Sequence, residues 1–198
     1  MSEAHRDYFN RLAPEWNEKM PEDPTLRNYL VRFGIKSGDR VLDIGAGTGR
    51  MTRYLIDMVG PDGRVITEDI AEDMLTEGMG LLPFHRNWLC DTVSSLAIRA
   101  EVFDKVVCFS AFPHFTDPLA ALREMRRVLC KNGQLLILHV SSSTELNAFH
   151  AELDGIVSSD RLPSIDEMRL LLHQAGFETV RTEESDGLYW AEAVKPSS

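Results

Sequence analysis

Residues Arg40 to Arg50 read RVLDIGAGTGR, and no other stretch restricts the fold as strongly. Arg40 to Ile44 is a short, branched, apolar run of the kind that makes a buried strand. Gly45, Gly47 and Gly49 follow at alternate positions before a helix-like segment opens. The pattern is strand, tight glycine turn, helix. Glycine reaches positive φ and carries no side chain, so the backbone can approach a bound molecule closely, and the opening turn of the helix offers unpaired N–H groups. Such a unit suits a nucleotide-like ligand.

The residues around the glycines narrow the choice of ligand. A dinucleotide-binding turn reads G-x-G-x-x-G or A, with a pyrophosphate on the helix N-terminus. Here Arg50 fills the last small position, and a carboxylate, Asp43, stands two residues before the first glycine. A negative charge there opposes a pyrophosphate but suits a cationic ligand bearing an ammonium and a sulfonium. The run Asp43 to Gly49, DIGAGTG, resembles motif I of the class I S-adenosylmethionine-dependent methyltransferases. The resemblance implies that Asp43, Gly45, Ala46 and Gly47 border S-adenosyl-L-methionine, with the acidic residue facing its methionine part.

With 198 residues, no composition shift and no internal repeat, the chain is expected to form one domain. Within it, 1–36 reads as an N-terminal helical cap, 37–140 as a cofactor-binding core, and 141–198 as substrate-side helices with a terminal hairpin. The apolar runs are too short to cross a bilayer, and the polar opening residues do not resemble a secretory leader, so a cytoplasmic protein is expected. A net charge of −10 without a Lys/Arg-rich cluster argues against nucleic acid as a partner. Cys90, Cys108 and Cys130 are scattered without C-x-x-C spacing and read as reduced thiols, Cys108 and Cys130 as small buried hydrophobes.

Ala4 to Met20 carries Tyr8, Phe9, Leu12 and Trp16 at helical spacing. Its Y-F-x-x-x-A-x-x-W pattern resembles methyltransferases in which this segment closes over the cofactor. An ordinary packing helix is the alternative. Pro21 to Pro24 breaks the pattern, and Thr25 to Phe33 resumes it. Gly49 to Val59 reads as the first core helix. Arg64 to Glu68 reads as a second strand ending at Asp69, about twenty residues past the last glycine, where nucleotide-binding α/β domains place a ribose-binding carboxylate. Glu68 is a close rival, and a helix N-cap at Asp69 or Asp73 is the plainer reading. Asp69-Ile70 resembles the end of the family's motif II. Asn87 to Cys90 makes a third strand ending in Asp91-Thr92, where the family holds the adenine amine and shapes the ring slot; a loop cap is the alternative for Asp91.

Val102 to Ser110 reads as the fourth strand, with Ala111 to Phe115, AFPHF, at its end. Ligands of doubly wound sheets bind beyond the carboxyl ends of the strands, so the acceptor is expected near Ser110 to Phe115. The segment is not the N/D-P-P-Y/F motif of amino-group methyltransferases. Asp117-Pro118 starts a helix expected to end at Asn132-Gly133, and Leu135 to Val140 follows as the fifth strand. The run from Asp117 to Ile137 resembles small-molecule enzymes such as the ubiquinone/menaquinone C-methyltransferases.

Ser142 and Glu145 have capping-box spacing, so a helix is expected near Thr144, placing Asn147 and His150 on or near one face. His139 lies near the end of the fifth strand, beside the strand end that carries His114. His114, His139 and His150 can therefore converge, as a proton acceptor, as a holder of a metal or metallated substrate, or as separate structural residues. No metal is assigned. His5, His85 and His173 have no such context and read as structural or exposed. Ser164 to Gly176 reads as a capped helix. Phe177 to Glu183 and Leu188 to Val194 read as a hairpin about Asp186-Gly187, and Lys195 to Ser198 as a frayed tail.

The expectation is a Rossmann-like α/β fold, a three-layer αβα sandwich with a seven-stranded, mostly parallel sheet and an antiparallel C-terminal hairpin. The resemblance implies methyl transfer from S-adenosylmethionine to a small-molecule substrate. Asp43, Gly45, Ala46, Gly47, Asp69, Ile70, Asp91, Thr92 and Ser110 are the candidate cofactor residues, and His114, His139 and His150 the candidate catalytic ones. A non-enzymatic cofactor-binding or partner-subunit role, a macromolecular acceptor and a metal-linked substrate stay open, as does the oligomeric state.

Overall fold

Alternation along the strands sorts the side chains into two apolar layers. In the computed structural model, which describes residues 1–20 and 22–197, five parallel-paired strands form the middle and one edge of a sheet. They are β1 (Arg40–Ile44), β2 (Arg64–Asp69), β3 (Trp88–Cys90), β4 (Phe103–Phe109) and β5 (Leu129–His139). Two antiparallel strands, β6 (Glu178–Ser185) and β7 (Leu188–Val194), complete the order β3-β2-β1-β4-β5-β7-β6. This is the expected seven-stranded sheet with its terminal hairpin.

Helices cover both faces. Val41, Val107, Leu136 and Trp190 pack with Leu30 and Phe33 of α3 (Leu26–Phe33) and Leu55 of α4 (Thr52–Val59). Leu42, Ile44, Val106, Ile137 and Tyr189 face the other way, against Leu122 and Met125 of α6 (Pro118–Val128) and Met168 and Leu172 of α8 (Ile165–Gln174). Each fully buried Leu or Ile contributes about 1.5–3 kcal/mol. By the same alternation Asp43 faces the α4 layer.

A smaller cluster joins Met74 of α5 (Glu72–Leu81) to Ala13, with Phe9, Leu12 and Trp16 against it. These come from the N-terminal segment, which is not one helix as expected. It runs as α1 (Glu3–Leu12), a 3-10 turn over Ala13–Glu15, and α2 (Trp16–Lys19). Pro14 sits in the first turn of the 3-10 piece and lacks the N–H that a continuous helix needs.

Other boundaries differ from those expected. The core helix begins at Thr52 rather than Gly49, because the glycines are spent in the turn. Asp117 caps α6 by accepting from the Ala120 N–H at 2.9 Å, as expected. The helix ends at Val128 rather than Asn132-Gly133, and the chain passes directly into β5. Asn132 does adopt a left-handed φ of 63°, inside β5 rather than at a helix end. The tail expected to fray is tied down at Lys195, whose Nζ donates to the Leu129 carbonyl at 2.7 Å. Ser197 donates to Asn132 at 2.6 Å. Pro21, in the expected break, and Ser198 lie outside the described residues. Among the described residues no helix is long and apolar enough to cross a membrane.

Both capping boxes form. Ser142 and Glu145 start α7 (Ser143–Ala151), and Ser164 and Glu167 start α8. They fix where α7 and α8 leave the sheet, on the side carrying the strand ends.

Candidate active site and cofactor cavity

Strand order reverses between β1 and β4, and the crevice beyond their carboxyl ends is where a doubly wound sheet admits a ligand. Gly45 and Gly47 form the rim from the β1 side with φ of 62° and 57°, and Gly49 completes the turn with φ of 88°. A Cβ on Gly45 would overlap the Ala111 methyl, so glycine lets the turn close against the β4 end. The turn is held by carboxylates of the second strand. Gly47 N–H donates to Asp69 Oδ2 at 2.8 Å and Gly45 N–H to Glu68 Oε2 at 3.3 Å. The other oxygen of Asp69 accepts from Ala71 N–H at 2.8 Å.

Three buried carboxyls therefore surround one turn. Burial pushes Asp43 up to about 7, against the Thr52 hydroxyl that donates to its Oδ2 at 2.6 Å. Burial, then the charge of Asp69, raises Glu68 well above the carboxylate range, and burial raises Asp69 despite its backbone bonds. Asp43 Oδ1 has no hydrogen-bond partner. An acidic cluster with an orphan acceptor is unfavourable by itself and is relieved by a cation bearing N–H groups.

Beside it lies a cavity of about 590 Å³. Gly45, Gly47, Asp69 and Ser110 line one part, and His114, His139 and His150 line the other, so the three histidines do share one space. Asp43, Ala46, Ile70, Asp91 and Thr92 are not part of that lining. Asp43 is fully buried behind the turn. Asp91 uses its oxygens as a loop cap, accepting from Thr92 N–H at 2.8 Å and Ala97 N–H at 2.7 Å. Glu68, the rival to Asp69, also stays outside the lining.

The N-terminal segment roofs the cavity with Tyr8, Phe9, Leu12 and Trp16. It docks on the glycine turn, where Thr48 donates to Asn17 at 2.7 Å, and on His114, whose ring lies edge to face with Phe9 at 4.9 Å.

Ser110 leaves β4 with a left-handed φ of 55°, and the 3-10 turn Phe112–His114 then carries His114 into the cavity. His114 Nδ1 meets Asp160 Oδ2 at 2.6 Å. Burial pushes Asp160 up, but the hydrogen bonds from His114 and His5 outweigh it and hold it below its ordinary value, so it is a carboxylate. A carboxylate only accepts, which makes His114 Nδ1 the donor. Burial lowers His114 below its ordinary value against the pull of Asp160, so the ring is neutral at neutral pH with a bare Nε2. His114 and His150 rings lie 5.3 Å apart. His150 Nδ1 meets the Asp160 carbonyl at 3.1 Å. His139, deepest of the three, is pushed down to about 3 by burial and then by the other two histidines, and its Nε2 has no partner.

Two residues outside the sequence expectation complete the cluster. His5, read as structural or exposed, is buried, and its Nε2 reaches Asp160 at 3.0 and 3.1 Å. Asp160 lies in an irregular stretch with no motif to mark it. Arg50 also lines the cavity, half-buried, with its guanidinium over Phe109 at 5.6 Å and Nε without a partner. Of the other two histidines read as structural or exposed, His85 bonds Thr67 at 2.9 Å and His173 is exposed. Cys108 is buried as expected, whereas Cys130 is half-buried and Cys90 exposed, and all three thiols are free.

Comparison with known proteins gives the relationship. A family described as "Methyltransferase domain" matches residues 42–137. A ubiquinone/menaquinone biosynthesis C-methyltransferase of Hahella chejuensis is 37% identical over 144 residues, which cover 69% of this chain but only 56% of that protein. The chain thus aligns with little more than half the length of that relative. The Stenotrophomonas maltophilia protein of the same name is 30% identical over 179 residues, 77% of this chain and 71% of its own. The crystal structure of a SAM-dependent methyltransferase from Aquifex aeolicus superposes with a TM-score of 0.72 at 24% identity, covering 96% of this chain and 98% of its own, a likeness of fold. From the sequence relationship, supported by this fold, the chain belongs to the class I S-adenosylmethionine-dependent methyltransferases.

Proposed function

We propose that the chain transfers the methyl group of S-adenosylmethionine to a small-molecule acceptor in the cytoplasm, with His114 as the base when the acceptor must lose a proton. The observation that carries this reading is one cavity lined by both the acidic glycine turn and the histidine cluster, under an apolar roof. The relatives named as quinone-biosynthesis C-methyltransferases support a small-molecule acceptor, and three free thiols fit a reducing compartment.

The cofactor suits the residues present. Asp43 Oδ1 is an orphan acceptor behind the turn, and the raised carboxyls Asp43, Glu68 and Asp69 gain from a neighbouring positive charge. Asp69 would take the ribose hydroxyls, since each of its oxygens keeps a free acceptor site beside its backbone bond. Gly45, Ala46 and Gly47 would present backbone to the methionine part, and Arg50 would pair with its carboxylate. Ile70, Asp91 and Thr92 would border the adenine, with Ser110 at the junction to the acceptor side. When bound, the cofactor supplies a methyl group already activated on a sulfonium.

The remaining work falls to the protein. Tyr8, Phe9 and Trp16 exclude water, and the cavity walls hold the acceptor in line. His114 takes the acceptor proton at Nε2. His139, neutral down to about 3, offers its unpaired Nε2 as a hydrogen-bonding group to substrate rather than as a proton store, and His150 holds the wall beside His114.

The test is incubation with methyl-labelled S-adenosylmethionine and a fractionated cell extract. Label in the small-molecule fraction supports the reading. Label in RNA or protein refutes the small-molecule acceptor, and tight cofactor binding with no label in any fraction favours a non-enzymatic role.

A further inference from the structure

We propose that Asp160 is a positioning residue that locks His114 as its Nδ1–H tautomer and aims Nε2 at the cavity, and that His5 ties the roof helix α1 to the same carboxylate. The consequence for catalysis rests on the reading of His114 as base; the tautomer and the tie do not.

Three observations carry it. First, the His5 contacts specify a donor. Ser2 N–H donates to His5 Nδ1 at 3.3 Å, which leaves Nε2 as the protonated nitrogen facing Asp160. Asp160 thus receives one N–H from each ring, and neither ring needs a positive charge. Second, Asp160 is held from several directions. Its N–H donates to the Val157 carbonyl at 3.1 Å, and its carbonyl meets His150. Two residues on, Asn147 of α7 donates to the Leu162 carbonyl at 3.0 Å and accepts the Leu162 N–H at 2.8 Å. A side chain fixed this way can fix another. Third, among the described residues His114 Nε2 takes no hydrogen bond, while the ring lines the cavity.

His5 adds a connection between closure and chemistry. It lies on α1 with Tyr8 and Phe9, which cover the cavity. Seating α1 therefore brings an N–H donor to Asp160 and an aromatic edge to His114 in one movement. Without that donor, Asp160 keeps His114 as its partner but loses the contact that holds its second oxygen.

His5, His114 and Asp160 also bring three ligand atoms within 4.8 Å of one another, a spacing that a metal ion could exploit. The hydrogen bonds account for all three atoms without one, and the experiment separates the two.

Nitrogen-15 NMR of the imidazoles, on the full chain at about pH 7.5 where an ordinary histidine is neutral, reads the tautomers directly. The expected result is a protonated Nδ1 and bare Nε2 for His114 and the opposite for His5. In Asp160→Asn, whose amide can donate to Nδ1, His114 shifts toward Nε2–H and labelled methyl transfer falls by about 100-fold or more. His5→Ala leaves the His114 tautomer unchanged and speeds amide exchange over residues 3–12 by about tenfold. A wild-type His114 carrying its proton on Nε2 overturns the proposal, and this needs no variant to fold. So does an unchanged tautomer in Asp160→Asn, or uptake of one equivalent of zinc chloride that shifts both rings. Unchanged exchange in His5→Ala overturns the tie. If the tautomers are as expected but the wild type transfers no label, the positioning stands and the methyltransferase reading fails instead.

Discussion

Replacing Asp43 by asparagine should stabilise the free protein at alkaline pH while weakening its hold on the cofactor. The carboxyl sits fully buried in β1, ionising near 7 in the fold against an ordinary 3.8. Below about pH 3 both folded and unfolded chains hold the proton, and Asp43 costs the fold nothing. As pH rises toward 7 the unfolded chain ionises first, and the cost grows to about 4 kcal/mol, at 1.36 kcal/mol per pKa unit, then stays constant. The asparagine would keep an oxygen for the Thr52 hydroxyl but put an amide N–H₂ where Oδ1 has no partner, a pH-independent cost of about 1–3 kcal/mol. Urea unfolding at about pH 5 and about pH 8 reads the balance. The stability of Asp43→Asn relative to wild type should improve by about 2–3 kcal/mol between those two conditions. Calorimetric titration at about pH 8 should show S-adenosylmethionine bound at least about tenfold more weakly by the variant, since the buried negative charge behind the turn is gone. A stability difference that does not change with pH would refute the argument that Asp43 ionises at a cost.

Three further outcomes follow from the same geometry. Arg50→Gln should lower affinity for S-adenosylmethionine by about tenfold but barely change affinity for 5′-methylthioadenosine, which lacks the carboxylate; equal losses in titration calorimetry would remove Arg50 from that role. Gly45→Ala should lose about 1–3 kcal/mol of stability and most cofactor binding, because φ is 62° and the added methyl meets Ala111; thermal unfolding and titration would show it, and a wild-type profile would contradict the packing. His139 titrates near 3 in the fold against 6.5 ordinarily, so it opposes folding as pH falls from about 6.5 toward 3. His139→Leu should therefore narrow the stability gap between about pH 7 and about pH 4 relative to wild type, and an unchanged gap in urea unfolding would show that the ring is not held neutral.

The parts of the site legible in sequence are those whose chemistry is local. The glycine turn declares itself because Gly45, Gly47 and Gly49 all need positive φ within five residues, directly after a strand. The capping boxes at Ser142/Glu145 and Ser164/Glu167 are likewise complete within four residues. At the end of α6 and in the C-terminal tail, a neighbour in space overrules the local pattern. The α6 helix stops at Val128 because Leu129 begins to pair with Phe103, and the tail holds at Lys195 because its ammonium finds the Leu129 carbonyl. His5 looked uninformative because its partner lies 155 residues away.

Sequence by itself therefore determined the α/β class and the acidic glycine turn, since period and turn chemistry follow from near neighbours, and the family resemblance added the strand ends that carry His114 and His139. Tertiary structure alone decided which carboxylate works on which histidine. Asp160 meets His114 across 46 residues and His5 across 155, from a stretch with no motif of its own. A hydrogen bond between distant residues leaves no periodicity in the chain; it exists only once the sheet, α7 and the roof helix have packed and their side chains share one buried space.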